Sequence, residues 1–433
     1  MKNKTLTLIT FLLIIGTVAC TNNQANTLKQ TEAQFAPLKE RNSELAKLPD
    51  WETVKSKATE FFSNIKKDSL DIKSKLLLAQ LYMQEARITG EHPYYYPATL
   101  IILDDVIKHD PENFEAYAFK ASVLLSLHHF KEALDIGMKA VKLNSYNGFI
   151  YGVLCDANVE LGNYEEAVKM SDKMQSLRPG LESYSRASYL REIYGDNAGA
   201  IDAMKMAYQA GLPSSEESSW AGNTLTNLYI NTGDLKNAEN ISENILQQRP
   251  SYAFATAALG RIEMAKGNYD NAIVKFDEAI KVMPEVSFYE NKAEAYKAKG
   301  DIAKANEIYN TCLAMLSEDA ESGHYVDMEL AKIYLELSDN ENALKFARIE
   351  YERRPLNIDA GHTLAWVYYK KGNFEEAKKL LKICLRMGTQ NAELLEHAGA
   401  IEMAIGDTKT ANEYFAKSKK INPKLPNTFT NKS

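Results

Sequence analysis

The sequence predicts an all-α solenoid of about ten helix–turn–helix units preceded by an N-terminal capping helix, and three observations carry that expectation. A phrase of Gly, then Asn or Asp, then Ala five residues after the Gly, recurs as GNYEEA at 162, GDNAGA at 195, GDLKNA at 233, GNYDNA at 267, GDIAKA at 300, GNFEEA at 372 and GDTKTA at 406. Two weaker copies, HHFKEA at 128 and SDNENA at 338, complete start-to-start spacings of 34, 33, 38, 34, 33, 38, 34 and 34. Twelve residues before each repeated Ala stands a small residue: Ala121, Cys155, Ser188, Thr226, Gly260, Ala293, Ala331, Ala365 or Gly399. Twelve residues after it a proline falls in phase at Pro179, Pro250, Pro284, Pro355 and Pro423. Proline ends a helix because it lacks the backbone donor and clashes with the preceding turn.

Taken in chain order, the first twenty residues, MKNKTLTLITFLLIIGTVAC, set Lys2 and Lys4 ahead of an apolar run from Leu6 to Ile15 and small residues before Cys20. This is a secretory signal layout. The run is shorter than the roughly 20 apolar residues that a bilayer span needs. Residues 1–19 therefore read as a signal peptide, and 20–50 as a polar tether, TNNQANT, followed by a helix over 28–48 with a thin apolar face. WETVKSKATEFFSNIKK at 51–67 reads as the capping helix, since a terminal repeat leaves one face bare. A degenerate first repeat completes 51–113, with LLLAQLYMQEARITG at 76–90 as its first helix, TLIILDDVIKHDP at 99–111 as its second, and Thr99 in the place of the Ala.

Between those two helices lies GEHPYYYP at 90–97, where Pro93 and Pro97 bracket Tyr94, Tyr95 and Tyr96. Three consecutive rings cannot all face inward from a regular element, so the segment is expected to project as a loop and to contribute to partner capture. The alternative is that one or two rings fold back over the N-terminal cap. Regular repeats then fill 114–424, and 425–433 is a polar tail. In the unit at 253–284, Ala255, Leu259 and Ile262 form one helical stripe and Ala272, Ile273, Phe276, Ala279 and Ile280 the other. Neither stripe can be hidden within one unit, so neighbouring units must stack. The spacing pattern 34, 33, 38 occurs twice in succession, which makes the deeper unit a three-repeat module of about 105 residues. Its extra residues, GLPSSEE at 211–217 and SEDAESG at 317–323, are expected to perturb the superhelix locally.

A period near 34 with these marks resembles the tetratricopeptide repeat. The resemblance implies a right-handed superhelix whose first helices line a concave binding surface, with no catalytic role. The ending TVAC resembles the lipobox of bacterial lipoproteins at Val18, Ala19 and Cys20. It implies that Cys20 carries lipid and anchors the chain in the bacterial cell envelope, at the outer membrane given Thr21 in the next position; the alternative is an ordinary signal peptide cut near Ala19. Dual acylation anchors stably where one chain is marginal.

Net charge is −7 with no long run of either sign, so nucleic acid is not an expected partner. No HExxH, GxSxG or phosphate-binding loop is present, and Cys155, Cys312 and Cys384 have no ligand spacing, so neither metal nor cofactor is expected. Positions fifteen, eleven and eight residues before the repeated Ala are expected to face the groove. They include Tyr189, Asn223 and Asn227, Arg261, Glu290 and Glu294, and the set His362, Trp366 and Tyr369. Trp366, Tyr369 and His362 share one helical face and form either a stacking platform or packing between adjacent first helices. The expected partner is an extended peptide or another envelope protein. The rival reading is a helical lipoprotein that captures surface glycans or nutrients on its tyrosines.

Overall fold

A computed structural model describes residues 35–424. The signal segment, Cys20, the tether and the polar tail lie outside the described residues. Among those described, the secondary structure is a short 3-10 turn at Leu45–Lys47 and 21 α-helices, with no strand. Helix α1 (Trp51–Lys67) is followed by ten antiparallel pairs. The first five are α2 (Ile72–Thr89) with α3 (His92–His109), α4 (Phe114–Ser126) with α5 (Phe130–Leu143), α6 (Gly148–Glu160) with α7 (Tyr164–Leu177), α8 (Leu181–Ile193) with α9 (Asn197–Ala210), and α10 (Glu216–Asn231) with α11 (Leu235–Gln248). The second five are α12 (Ala253–Ala265) with α13 (Tyr269–Val282), α14 (Val286–Ala298) with α15 (Ile302–Glu321), α16 (Asp327–Glu336) with α17 (Asn340–Arg353), α18 (Ile358–Lys370) with α19 (Phe374–Cys384), and α20 (Ala392–Ala404) with α21 (Thr408–Ile421). Each pair packs on itself and on the next, as a helical solenoid does.

The repeated alanines sit where paired helices cross. Ala272 and its sister Ala238 are fully buried, as are Ala293 and Ala331 at the small-residue positions. At Gly260 a methyl group would stand 2.5 Å from the ring of Phe276, so glycine lets α12 and α13 approach. Overpacking such a crossing typically costs about 1–3 kcal/mol. Ala272→Trp is expected to lower the unfolding free energy measured in urea by about that much, and Lys275→Trp at a half-buried position of α13 to lower it far less; equal losses would show that the crossing is misplaced.

The turns between paired helices need a left-handed residue, supplied at φ +77° by Gly162 and at φ +78° by Gly372. In the two weak copies His128 and Ser338 take that conformation at φ 62° and 61°. At the first module seam Ser215 caps α10 through its side chain after Ser214 at φ 64°. At the second, α15 runs on to 20 residues, and lateral contact between first helices fades between α14 and α16.

Two expectations need correction. Residues 90–97 do not project: α3 begins at His92, and Tyr95 and Tyr96 are buried at 0% and 6% exposure. Pro93 occupies the first turn, where its missing N–H has no partner in any helix, and Pro97 forfeits a single bond one turn later. Counting five residues from the turn at Gly90, the place of the repeated Ala is taken by Tyr95, and the additional residues lengthen α2 and α3 to 18 each. The described part of 28–48 is not an α-helix but a strap along α2 and α3. The hydroxyl of Tyr94 donates to the Pro37 carbonyl at 2.6 Å, and that of Tyr95 accepts from the Lys39 N–H at 3.1 Å. Arg41, with no exposed side-chain surface, pairs with the equally buried Glu85 at 2.6 Å and with Asp50 at 3.0 Å. Backbone-to-tyrosine bonds need no apolar stripe, which is why the helical reading of 28–48 found so thin a one.

The superhelix closes on itself. Side chains and loops 192 to 198 positions apart are hydrogen-bonded, so the turn inside each of the first five pairs rests on the loop after a second helix five pairs later. Gly90 faces Met283, and Asn42 of the strap donates to the Val282 carbonyl. Tyr325 donates its N–H to the Leu127 carbonyl at 3.1 Å, while the His129 ring stacks on Tyr325 at 4.0 Å. Arg354 pairs with Glu160, Asn357 donates to the Glu160 carbonyl at 3.0 Å, and Arg386 to the Gly162 carbonyl at 2.6 Å. Asn197 donates to the Gln390 carbonyl and Asn422 to that of Ile230, both at 3.2 Å. Beside the second rung, burial pushes His324 down to about 3, and neither of its ring nitrogens has a hydrogen-bond partner.

Candidate functional site

The first helices of the pairs turn one face toward a shared lumen. Charges on first helices far apart in sequence feel one another: Tyr189 on α8 lies in the field of Asp359 on α18, in the turn stacked against it, and Arg261 on α12 in that of Glu393 on α20. Neighbouring first helices are cross-linked along the same face. Arg261 donates to the side-chain oxygen of Asn227 at 2.7 Å, Arg186 pairs with Asp156 at 2.6 Å, and Lys297 with Glu336 at 2.6 Å. Asn223, one turn before Asn227, has a buried side-chain oxygen with no hydrogen-bond partner.

The lumen is crowded without being dry. Tyr189 keeps 39% of its surface exposed, yet burial, reinforced by Glu160 and Asp359, holds its hydroxyl well above the usual phenol range. Burial pushes the half-buried carboxyl of Glu290 up to about 7 against the pull of Lys332, and Glu336 acts upward on it and on the more exposed Glu294. Arg261 is lowered by burial, against the pull of Glu294 and Glu393.

A carboxyl held near 7 in the folded state and near 4.5 in the unfolded state has a definite sign. Below 4.5 both states are protonated and the cost is absent. Between 4.5 and about 7 the unfolded chain ionises first, so stability falls as pH rises, and above that the cost is constant. Glu290→Gln is therefore expected to raise the melting temperature at pH 8 and to leave it unchanged at pH 4; a gain that does not grow with pH would contradict the burial argument.

Near the C-terminal end His362 and His397 approach at 2.8 Å between ring nitrogens. Trp366 stacks on His397 at 3.5 Å and on Tyr369 at 4.6 Å, with both pairs nearly parallel. Trp366 thus bridges α18 and α20, which is packing between adjacent first helices. Burial pushes His397 well below the usual imidazole range and lowers His362 as well. The structure therefore brings Asn223, Asn227 and Arg261 together on one stretch of wall and His362, Trp366 and Tyr369 on another, with Tyr189 between the turns. Tyr94 and Tyr95 are elsewhere, bonded to the strap, and Tyr96 is buried on α3 against His92.

Among the described residues no group of three His, Cys, Asp or Glu side chains is placed to hold a metal ion. Cys155, Cys312 and Cys384 are free and buried, and burial pushes the last two up to about 12. No described helix is long and apolar enough to cross a membrane. The inter-turn seam, with Glu160, Arg354 and Asn357, was missed by sequence reasoning, because repeat phase says which residues face a neighbour and nothing about which turn lies beneath.

Comparison with known proteins places families on two stretches. A tetratricopeptide repeat-like domain matches residues 193–335 and a tetratricopeptide repeat matches 362–426. The chain is 24% identical over 240 residues to Superkiller complex protein 3 of Mus musculus, covering 45% of this chain and 15% of that protein. It is 21% identical over 317 residues to a DnaJ homolog subfamily C member 7 homolog of Schizosaccharomyces pombe, covering 66% of this chain and 64% of the relative. It thus spans less than two thirds of each. A thermophilic TPR protein of Thermus thermophilus superposes with a TM-score of 0.38 at 21% identity, over 43% of this chain and 98% of that one. Two stretches of the chain thus match tetratricopeptide repeat models, and the described residues form an all-helical solenoid.

Proposed function

We propose that the protein is a non-enzymatic scaffold, exported and held to the bacterial outer membrane through lipid on Cys20, whose lumen takes an extended peptide segment of another envelope protein. The observation that carries the lumen reading is the unpaired side-chain oxygen of Asn223 beside the Asn227–Arg261 pair. Amide side chains in a half-dry wall suit the repeating donors and acceptors of an extended backbone, and a buried acceptor left unmade costs about 1–3 kcal/mol. Export and anchoring rest on the signal layout and on Cys20 after Val18 and Ala19, followed by a polar tether that leads to the strap.

The rival glycan reading loses its ring platform, since Tyr95 and Tyr96 are buried and Trp366 is stacked on two neighbours. Two measurements test the proposal. Palmitate labelling is expected for the wild type and lost in Cys20→Ala; equal labelling sinks the anchor. Pull-down from envelope extracts is expected to recover a partner that Asn223→Ala, which leaves the Asn227–Arg261 bond in place, loses at unchanged melting temperature, and undiminished recovery would move the site out of the lumen.

A further inference from the structure

The five contacts between superhelical turns leave two edges bare. The turns at Gly90, 127–129, Gly162, Gly195 and Gly233 are covered by the loops around Met283, 323–325, 354–358, 386–390 and 422–423. The corresponding turns of the last five pairs form a lower edge that no other described residue covers at Gly267, Gly300, Gly372 or Gly406. At Gly162 a methyl group would stand 2.2 Å from the Leu356 carbonyl oxygen and at Gly195 2.3 Å from that of Gly388, whereas at Gly267, Gly300, Gly372 and Gly406 it would meet nothing within 4 Å. The loops after the second helices of the first five pairs form the matching upper edge.

We propose that the protein assembles head to tail through these edges, the lower edge of one copy seating the upper-edge loops of a second copy as the two turns within one copy seat each other. The turn is present twice in the sequence, with Phe374 in the place of Tyr164 and, on the facing loop, Ser176 in the place of Arg386, so the second copy keeps the turn but not the tyrosine's polar contacts. Asn163 and Tyr164 follow Gly162 and are flanked by Glu165 and Glu166; 210 positions later Gly372, Asn373 and Phe374 are followed by Glu375 and Glu376. The first copy of the turn is occupied: the Tyr164 hydroxyl accepts from the Ile358 N–H at 3.0 Å and the Arg386 guanidinium lies over its ring. The second is vacant and opens a cavity of about 400 Å³ bounded by Asn373, Phe374, Ala404 and Ile405.

The occupant is duplicated as well. Leu356 and Asn357, which cover Gly162, have their equivalents 210 positions earlier in Tyr146 and Asn147, and Tyr146 stands on the upper edge with 83% of its surface exposed. The surface between copies continues an interface already made within one copy, with less charge in it. Lys370 stands where Glu160 does and Asn144 where Arg354 does, so the ion pair is lost without a like-charge contact. Such a heterologous contact does not close, and association is expected to be open-ended and concentration-dependent.

Sedimentation of the full-length protein in density-matched detergent tests this. The weight-average mass of the wild type is expected to climb with concentration without a plateau. Asn373→Arg blocks the lower edge and Tyr146→Arg the upper one, both at exposed positions, and each variant alone is expected to remain monomeric at wild-type melting temperature. Mixed in equal amounts, the two are expected to form dimers and stop there, because each supplies the edge the other lacks. A wild type that stays monomeric at every concentration, that plateaus at a dimer, or that associates undiminished with both substitutions in one chain overturns the proposal.

Discussion

Gly162→Ala is expected to destabilise the protein by roughly 2–5 kcal/mol, and Gly372→Ala by only about 1–2 kcal/mol. Both residues hold the left-handed conformation, at φ +77° and +78°, which costs an L-residue about 1–2 kcal/mol. Only the methyl at 162 would also strike backbone, the Leu356 carbonyl at 2.2 Å and the Asn357 nitrogen at 2.7 Å, and overpacking of that kind adds about 1–3 kcal/mol. The two glycines occupy the same place in their modules, so propensity and local sequence cancel in the comparison. Urea unfolding of the two variants reads the seam directly: equal shifts would mean that the turns of the superhelix do not touch.

Arg41→Met is expected to cost roughly 3–5 kcal/mol, because it leaves the carboxylate of Glu85 buried and unpaired. Burial works against the Arg41 charge, but its hydrogen bonds to Glu85 and Asp50 outweigh that, and the guanidinium also lies 4.8 Å from the Trp51 ring. The double variant Arg41→Met with Glu85→Met is expected to recover most of the loss, since a well-packed apolar pair replaces a buried ion pair at little cost. Hydrogen exchange is expected to place the single variant's loss in the strap, α1 and α2, as local contacts in a solenoid imply. A double variant no more stable than Arg41→Met alone would show that the strap is held by packing and not by charge.

What was legible in the sequence is what repeats locally. Ala272 and Gly260 announce a helix crossing because the same spacing recurs every 34 residues or so, and the positions fifteen and eleven before each Ala put Asn223 and Asn227 on one helical face beside Arg261. The first pair was misread because Pro93 and Pro97 look like breakers until one knows that α3 starts at His92. The strap was misread because Tyr82, Tyr94 and Tyr95 hold it through hydroxyl-to-backbone bonds, which leave no periodicity. The seam was out of reach for another reason: small rotations accumulated over five pairs decide that Asn357 meets Glu160, and no local pattern encodes that sum. A retrospective trace is visible at His128, a non-glycine in a left-handed turn whose ring nitrogen is hydrogen-bonded to the Tyr325 carbonyl at 2.8 Å.

The central claim is that the lumen lined by the first helices, and not the outer wall of second helices, receives the partner. Photo-crosslinking in intact cells tests it most directly, with benzoylphenylalanine in place of Tyr189, on a first helix with 39% of its surface exposed, and separately in place of the half-buried Lys275 on the second helix α13. The account predicts a discrete crosslinked species from position 189 that disappears when Asn223 is changed to alanine, and none from position 275. Adducts from position 275 with none from 189 would contradict it.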